Sequence, residues 1–377
     1  MIEHPANTIS TLFSNEVKNR PFLIAGPCGA ESKEQIMSSA LFLKSQGVSL
    51  LRAGVWKARS RPNSFEGHGI EALGWLNEMR SEINMPFAVE VAKAEHVDEV
   101  LKQECDVIWI GARTSVNPFL IQEIADALNG VKIPVLIKNP VNPDLDLWQG
   151  AIERIYKSRN KQVAAIHRGF SSYENKTYRN KPNWEIPIEL KRRLPEIPLI
   201  CDPSHITGKR SMVPFVSQIA MDLNFNGLMI EVHPQPDTAL SDAKQQLSFD
   251  EFAQFRKQLI IRKLTTEDVF ELSKLEDLRD QIDEIDQEVI NTLAKRMKVA
   301  RAIGSYKVKN NITIYQPQRW KEIMETRTRL GMEQQLSKEF LEKLYSIIHT
   351  ESIEQQSSVM SSSPKNIEAN TSENQKA

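Results

Sequence analysis

Short apolar runs recur along the first part of the chain, separated by longer stretches of mixed polarity. They occupy residues 22–25, 50–51, 87–89, 107–110, 135–137, 163–166, 199–200 and 228–230, and successive runs start about 29 residues apart. That interval matches one strand–helix unit of an eight-fold barrel. Pro21, Pro86, Pro134 and Pro198 stand just before four of the runs, where a chain leaves a loop and turns extended. The pattern predicts an α/β fold, a (β/α)8 TIM barrel over residues 1–263.

After Ile261 the period changes. Thr265, Thr266, Glu267 and Asp268 read as a helix start, with hydroxyls to cap and carboxylates in the first turn. Leu275, Leu278, Ile282, Ile285, Val289, Val299, Ile303 and Tyr306 then follow a seven-residue repeat, predicting one long helix to about Asn310. Pro317 opens a second helix to about Leu330, with Gly331 just past its end, and Ser337 starts a third to about Gln356. Residues 264–356 thus form an all-α three-helix unit. Residues 357–377, rich in Ser, Asn, Gln and Glu, read as a disordered tail. Three helices, one of them so long, do not close a core alone, so this unit is expected to dimerise or to build a higher homo-oligomer.

Almost every run in the barrel segment ends in a residue able to do chemistry: Cys28, Arg52, Glu90, Arg113, Lys138, His167 with Arg168, Asp202 with His205, and Glu231. Loops after the strands build the active site of such barrels, so these positions are site candidates. Cys28, His205, Glu231 and Asp242 supply one thiolate, one imidazole and two carboxylates, and closure brings strands 1 and 8 together. The mixed set suits a divalent Mn, Fe, Co or Zn ion better than Mg or Ca. His233 lies near but reads equally as a loop residue. Arg52, Lys57, Arg59, Arg61, Arg113, Lys138 and Arg168 fall at or just after strand ends. So many cations near a partly desolvated mouth call for an anionic ligand, phosphate or carboxylate. Metal plus phosphate-grade cations points to a phosphorylated substrate and carbonyl chemistry.

Net charge is −1, so no global field draws in nucleic acid. Three cysteines without paired spacing argue for a reducing compartment rather than a disulfide framework. Without a membrane-length apolar stretch or a signal-peptide core, a cytoplasmic protein with no membrane partner is expected.

In the long helix Arg296 sits on the apolar seam, where a cation is costly unless paired. Lys307, eleven residues on, returns to within about 20° of the same face, ~16 Å along the axis. Arg279, seventeen residues before Arg296, lies ~26 Å away and about 100° round. It reaches such a pocket only from a symmetric partner. Arg319 and Gln356 could complete the ring.

The strings AGPCGAES (25–32), LRAGVWK (51–57), GAR (111–113), IK (137–138), HRGF (167–170), CDPSH (201–205), EVHP (231–234) and ALSD (239–242) resemble the 3-deoxy-D-arabino-heptulosonate 7-phosphate synthases, in the branch related to the octulosonate 8-phosphate synthases. The resemblance implies condensation of phosphoenolpyruvate with erythrose 4-phosphate. Carried over, Cys28, His205, Glu231 and Asp242 bind the metal; Arg52, Lys57, Arg113, Lys138 and Arg168 hold phosphoenolpyruvate; Lys57, Arg59 and Ser60 take the aldehyde substrate. Lys57, His167 and Asp202 are the expected catalytic groups. Ala58 stands where a proline is usual, His167 where many relatives carry Glu, and Asn139 with Pro140 where Arg-Gly is common. An octulosonate synthase is the alternative for the barrel.

LRDQI (278–282), AKR (294–296), GSYK (304–307), Arg319, Ser352 and Gln356 are similar to the all-helical chorismate mutases, which implies rearrangement of chorismate to prephenate. That reaction needs cations for two carboxylates and a donor at the ether oxygen. Arg279, Arg296, Lys307 and Arg319 supply charge, Ser352 a further contact, and Lys307 with Gln356 face the ether oxygen. Trp320 replaces a Glu common in relatives, and Gln316 an Asp. A helical unit serving only as a prephenate or chorismate sensor that inhibits the barrel, or only as a dimerisation element, is the competing expectation.

Overall fold

The computed structural model describes Leu12, residues 21–57, 64–173 and 177–263, Thr265, and residues 269–362. The chain divides into two compact units, Met1–Leu264 and Thr265–Ala377. In the first, eight parallel strands close into a barrel in chain order: β1 (Phe22–Gly26), β2 (Leu50–Arg52), β3 (Phe87–Val91), β4 (Val107–Ile110), β5 (Val135–Lys138), β6 (Val163–His167), β7 (Leu199–Cys201) and β8 (Gly227–Glu231). Each apolar run of the sequence lies inside one strand. Around them run α1 (Lys33–Ser45), α2 (Ile70–Ile83), α3 (Ala94–Lys102), α4 (Pro118–Ala127), α5 (Leu145–Lys157), α6 (Glu185–Arg193), the short α7 (Pro203–Thr207), α8 (Val213–Asp222) and α9 (Phe249–Gln258).

Local chemistry sets the helix starts. Asn117 accepts from the N–H groups of Phe119 and Leu120, with Pro118 in the first turn of α4. Ser248 and Glu251 form a reciprocal capping box at α9.

Side chains alternate across the barrel wall. Phe22, Ile24, Leu50, Ala88, Trp109, Leu136, Ala164, Ile166, Ile200 and Met229 fill the interior. Their neighbours Leu23, Leu51, Val89, Ile108, Ile137, Ala165, Cys201 and Ile230 pack outward under the helices. The same alternation sorts the polar strand ends. Arg52, Glu90, Lys138 and Glu231 continue the inward series. His167 continues the outward one, in step with Val163 and Ala165.

The structure thus places His167 on the outer side of the barrel wall, away from the mouth. Its ring lies fully buried among Phe170, Trp148, Trp184 and Phe225, with centroids 5.2–6.3 Å away. Burial, helped by the Arg168 cation, depresses its pKa to about 3.

In the second unit, α10 (Val269–Lys309) and α11 (Pro317–Glu333) each pack against α12 (Lys338–Ser361). Residues 266–268, part of the expected helix start, lie outside the described residues, as do residues 363–377 of the expected tail. Two helix ends differ from expectation. Gly331 is inside α11, not past its end. A Cβ there would lie 2.4 Å from Leu341, so the glycine serves close helix approach. The third helix continues to Ser361, five residues beyond the expected end at Gln356.

Among the described residues of this unit, the fully buried apolar side chains are Ala300 and Leu341. The seam of α10 stays open, with Leu278 50%, Ile282 57%, Ile285 58% and Val289 50% exposed. Among the described residues, no helix is long and apolar enough to cross a membrane.

The depressed His167 pKa carries a sign. Between pH 6.5 and 3 the unfolded chain binds a proton that the folded barrel refuses, so stability falls as pH falls. His167→Phe removes that term. At pH 4, relative to pH 7, the variant should lose about 3 kcal/mol less than the parent chain. Urea unfolding followed by tryptophan fluorescence checks this; equal losses would refute it.

Candidate active sites

Closure in register assembles the first site. β8 pairs with β1 so that Glu231 stands opposite Gly26, two residues before Cys28. Gly26 has φ +152°, and a Cβ there would lie 2.2 Å from the Arg52 carbonyl oxygen, so only glycine lets β1 lie this close to β2. Cys28, Glu231 and Asp242 place ligand atoms within 4.8 Å of one another. Cys28 Sγ is 3.5 Å from Asp242 Oδ2, and His205 Nε2 is 3.8 Å from Glu231 Oε1. Three of the four sequence candidates thus meet at the mouth, and the fourth, His205, stands beside Glu231.

Each is held by a neighbour. Asp202 accepts from the His205 backbone N–H at 3.1 Å and from Nδ1 at 3.0 Å. Burial opposes the Asp202 charge, but His205 and Lys138 hold its carboxyl well below the usual range. A carboxylate only accepts, so Nδ1 carries the hydrogen and the Nε2 lone pair is left for a ligand. Burial lowers the pKa of His205, against the pull of Asp202. Glu231 and Asp242 resist burial through His205, with Arg52 helping the first and Arg179 the second, and both stay low.

Cys28 is pushed up to about 12 by burial first and by Glu231 next. Lys57 Nζ lies 3.0 Å from its sulfur and donates to its carbonyl oxygen at 2.8 Å. Burial alone would lower the Lys57 ammonium; Cys28 and Glu231 outweigh it and raise it. A thiol, an imidazole and two carboxylates in one buried spot are a donor set for a divalent ion. Glu231 Oε1 faces both His205 Nε2 at 3.8 Å and Arg52 NH2 at 3.1 Å.

Beside this cluster lie the cations. Arg52 is 1% exposed, with NH2 3.1 Å from Glu231 and Nε and NH1 without partners. Its guanidinium lies over Trp109 at 5.1 Å and Lys138 over the same ring at 5.8 Å. Lys138 pairs with Asp202 at 2.8 Å. Arg168 donates to Asn180 Oδ1 at 2.6 Å, and burial lowers it to about 10. Arg113 is exposed on the turn after β4. Arg59, Ser60 and Arg61 lie outside the described residues. His167 faces away.

Sequence reasoning gave no role to Glu90, which accepts from Trp109 Nε1 at 3.0 Å, although its parity matched Arg52. It also passed over Asn139, whose Oδ1 accepts from the Arg168 N–H at 2.7 Å.

The helical unit holds a cavity of about 600 Å³ lined by Arg296, Lys307, Arg319, Gln316, Trp320, Ser352 and Gln356, among others. Arg296 donates to Ser352 Oγ, Lys307 Nζ to the Ile314 carbonyl at 2.6 Å, and Gln356 Nε2 to the Ser352 carbonyl at 3.1 Å. Burial lowers both Arg296 and Lys307. Gln356 Oε1 is buried without a partner. Trp320 stacks on His349, with centroids 3.9 Å apart.

Arg327 also lines the cavity, eight residues after Arg319 on the same face, a helical spacing that could have revealed it. No carboxylate is among the lining residues, so the cavity suits a dianion. Arg279 does not line it; it pairs with Glu276 on the exposed face of α10.

The model of the DAHP synthetase I family matches residues 14–267, and that of chorismate mutase type II matches residues 278–357. Phospho-2-dehydro-3-deoxyheptonate aldolase of Thermotoga maritima is 33% identical over 257 residues, covering 68% of this chain and 74% of that protein. The 2-dehydro-3-deoxyphosphooctonate aldolase of Legionella pneumophila is 29% identical over 258 residues, covering 63% and 90%. The crystal structure of the Thermotoga maritima DAHP synthase aligns with a TM-score of 0.57 at 31% identity, over 69% of this chain and 71% of that one. The chain belongs to the DAHP synthetase I family and carries a type II chorismate mutase domain behind its barrel, a bifunctional enzyme of aromatic amino acid biosynthesis.

Proposed function

We propose that the barrel condenses phosphoenolpyruvate with erythrose 4-phosphate in a metal-dependent reaction, with Cys28, His205, Glu231 and Asp242 holding a divalent Mn, Fe, Co or Zn ion. The observation that carries this reading is the meeting of Cys28, Glu231 and Asp242, with His205 next to Glu231, beside the stacked cations Arg52 and Lys138. A divalent ion there would act as a Lewis acid on the aldehyde oxygen of the second substrate. Arg52, Lys138, Arg168 and Arg113 neutralise the carboxylate and phosphate of phosphoenolpyruvate. Arg59 and Ser60 take the phosphate of erythrose 4-phosphate. Trp109 fixes the Arg52 plane, so its two unpaired nitrogens are pre-aimed. The enol carbon then attacks the aldehyde, Lys57 supplies a proton to the new alkoxide, water adds at the former enol carbon, and phosphate leaves. Asp202 keeps His205 and Lys138 in place.

The helical unit rearranges chorismate to prephenate. Arg296, Arg319 and Arg279 bind the two carboxylates, while Lys307 and Gln356 donate to the ether oxygen as its charge grows. Ser352 orients Arg296. Arg279 acts in the cavity of a symmetric partner, and the exposed seam of α10 is the surface such a dimer would bury. Joining a branch-point activity to a first-step activity in one chain favours inhibition of the synthase by prephenate.

Cys28→Ser should lower synthase turnover by about two orders of magnitude and leave mutase turnover within about twofold. A chelator should divide the two activities the same way, measured as phosphate release and chorismate loss. Equal loss of both, or of neither, would refute the metal assignment. Arg279→Ala and Arg296→Ala chains should each lack mutase activity, yet refolded together recover roughly one quarter of it, since half the dimers are mixed and each mixed dimer has one intact cavity. No recovery would remove Arg279 from the partner's site. Saturating prephenate should inhibit the synthase of the parent chain but not of the Arg296→Ala chain; an unresponsive parent chain would end the feedback reading.

A further inference from the structure

The two carboxylates of the metal cluster come from different segments, Glu231 at the end of β8 and Asp242 eleven residues later. A continuous run of side chains joins them. Gln245 Nε2 donates to Glu231 Oε2 at 2.6 Å, and Gln245 Oε1 accepts from Arg179 NH1 at 2.6 Å. The same guanidinium nitrogen lies 3.1 Å from Asp242 Oδ1. The next residue reaches the opposite way. Gln246 Oε1 accepts from the Cys28 backbone N–H at 2.9 Å, and Gln246 Nε2 donates to the carbonyl oxygen of Ser241, the neighbour of Asp242, at 2.8 Å. Both glutamines are buried, 1% and 0% exposed.

Loop attachment alone does not require these amides. The backbone already ties the segment to the barrel, with Leu247 N–H donating to Glu231 O and His233 N–H to Leu247 O, both at 2.9 Å. Gln245 and Arg179 do something else: the amide of the first occupies Oε2 of Glu231, and the guanidinium of the second occupies Oδ1 of Asp242. Glu231 keeps Oε1 for the cluster, 3.8 Å from His205 Nε2 and ion-paired with Arg52 NH2 at 3.1 Å. Asp242 keeps Oδ2, the oxygen beside Cys28 Sγ. Asp242 itself has a left-handed backbone, φ 49°, a conformation that surrounding contacts must enforce.

We propose that Gln245 and Arg179 are positioning residues that restrict Glu231 and Asp242 to one ligating oxygen each, while Gln246 ties the backbone of Cys28 to that of Ser241. The site is thereby kept to few donors and selects compact borderline ions over Ca²⁺, which takes six to eight oxygens and accepts bidentate carboxylates. The inference rests on the metal assignment made above.

Gln245→Met keeps length and volume and removes both amide groups. In the full chain, with Kd measured by chelator competition, it should weaken Zn²⁺ and Co²⁺ binding by about 10–100-fold. It should also narrow the preference over Ca²⁺ and change the visible spectrum of the Co²⁺-loaded protein. Gln245→Glu, which can accept from Arg179 but cannot donate to Glu231, should fail to restore the parent Kd. Arg179→Gln alters a side chain 41% exposed and keeps the barrel core intact, so it reports even if the Gln245 variants do not fold. It should show the same spectral change with a smaller loss.

A parent chain that binds neither ion would sink the metal assignment itself. A parent chain that binds, with variants of unchanged Kd, metal preference and Co²⁺ spectrum but lowered Tm, would reduce the amides to a structural staple and overturn this inference alone.

Discussion

The barrel site depends on one constraint, the two-residue alternation of strands that close in parallel register. An inward residue at a strand end has nowhere to point except the mouth. Arg52, Glu90, Lys138 and Glu231 meet there because each continues an inward series begun by Leu50, Ala88, Leu136 and Met229. A one-residue slip in any strand would exchange its polar end for its apolar neighbour. The pairing of β1 with β8 adds the last condition, since it sets Gly26 beside Glu231 and so delivers Cys28 to the same spot.

The charges brought together this way balance one another in pairs that leave capacity over. Lys138 leans on Asp202, and Arg52 on Glu231, yet both cations also lie over Trp109. A buried guanidinium with two unpaired nitrogens is expensive in a finished ion pair, whereas a site built for an anion keeps such donors ready. The ring of Trp109 lets them stay in place, because an aromatic face attracts a cation without consuming its N–H groups.

Much of this was legible in the chain, and the failures share a cause. The eight runs gave every strand, and polar residues at their ends gave Cys28, Arg52, Lys138, Asp202, His205 and Glu231, which the structure brings together. Adjacency to a run does not place His167; parity does, since counting two by two from Val163 sets it outside. Gly331 was taken for a helix stop because a glycine reads the same whether it ends a helix or admits Leu341. Gln245 and Gln246 carried no signal, since neutral amides are common on surfaces and their meaning here lies in what they touch. Arg279 was placed outside its own helix's cavity by rotation arithmetic, and it lies away from that cavity.

The two units handle negative ligands by opposite means. In the barrel, cations are matched by carboxylates, and a metal would complete the balance. In the helical cavity Arg296, Lys307, Arg319 and Arg327 face a space with no acid among its described lining residues, although Arg319 also reaches Glu322 at 3.1 Å, so a ligand carrying negative charge would relieve their repulsion. Such a cavity is less stable empty than filled, and its walls are helices with few buried apolar contacts of their own. Binding therefore supplies part of the cohesion that the unit lacks, and ordering of the helices becomes linked to occupancy. The exposed seam of α10 works in the same direction, because a second copy laid along it would add buried apolar area where the single chain has little.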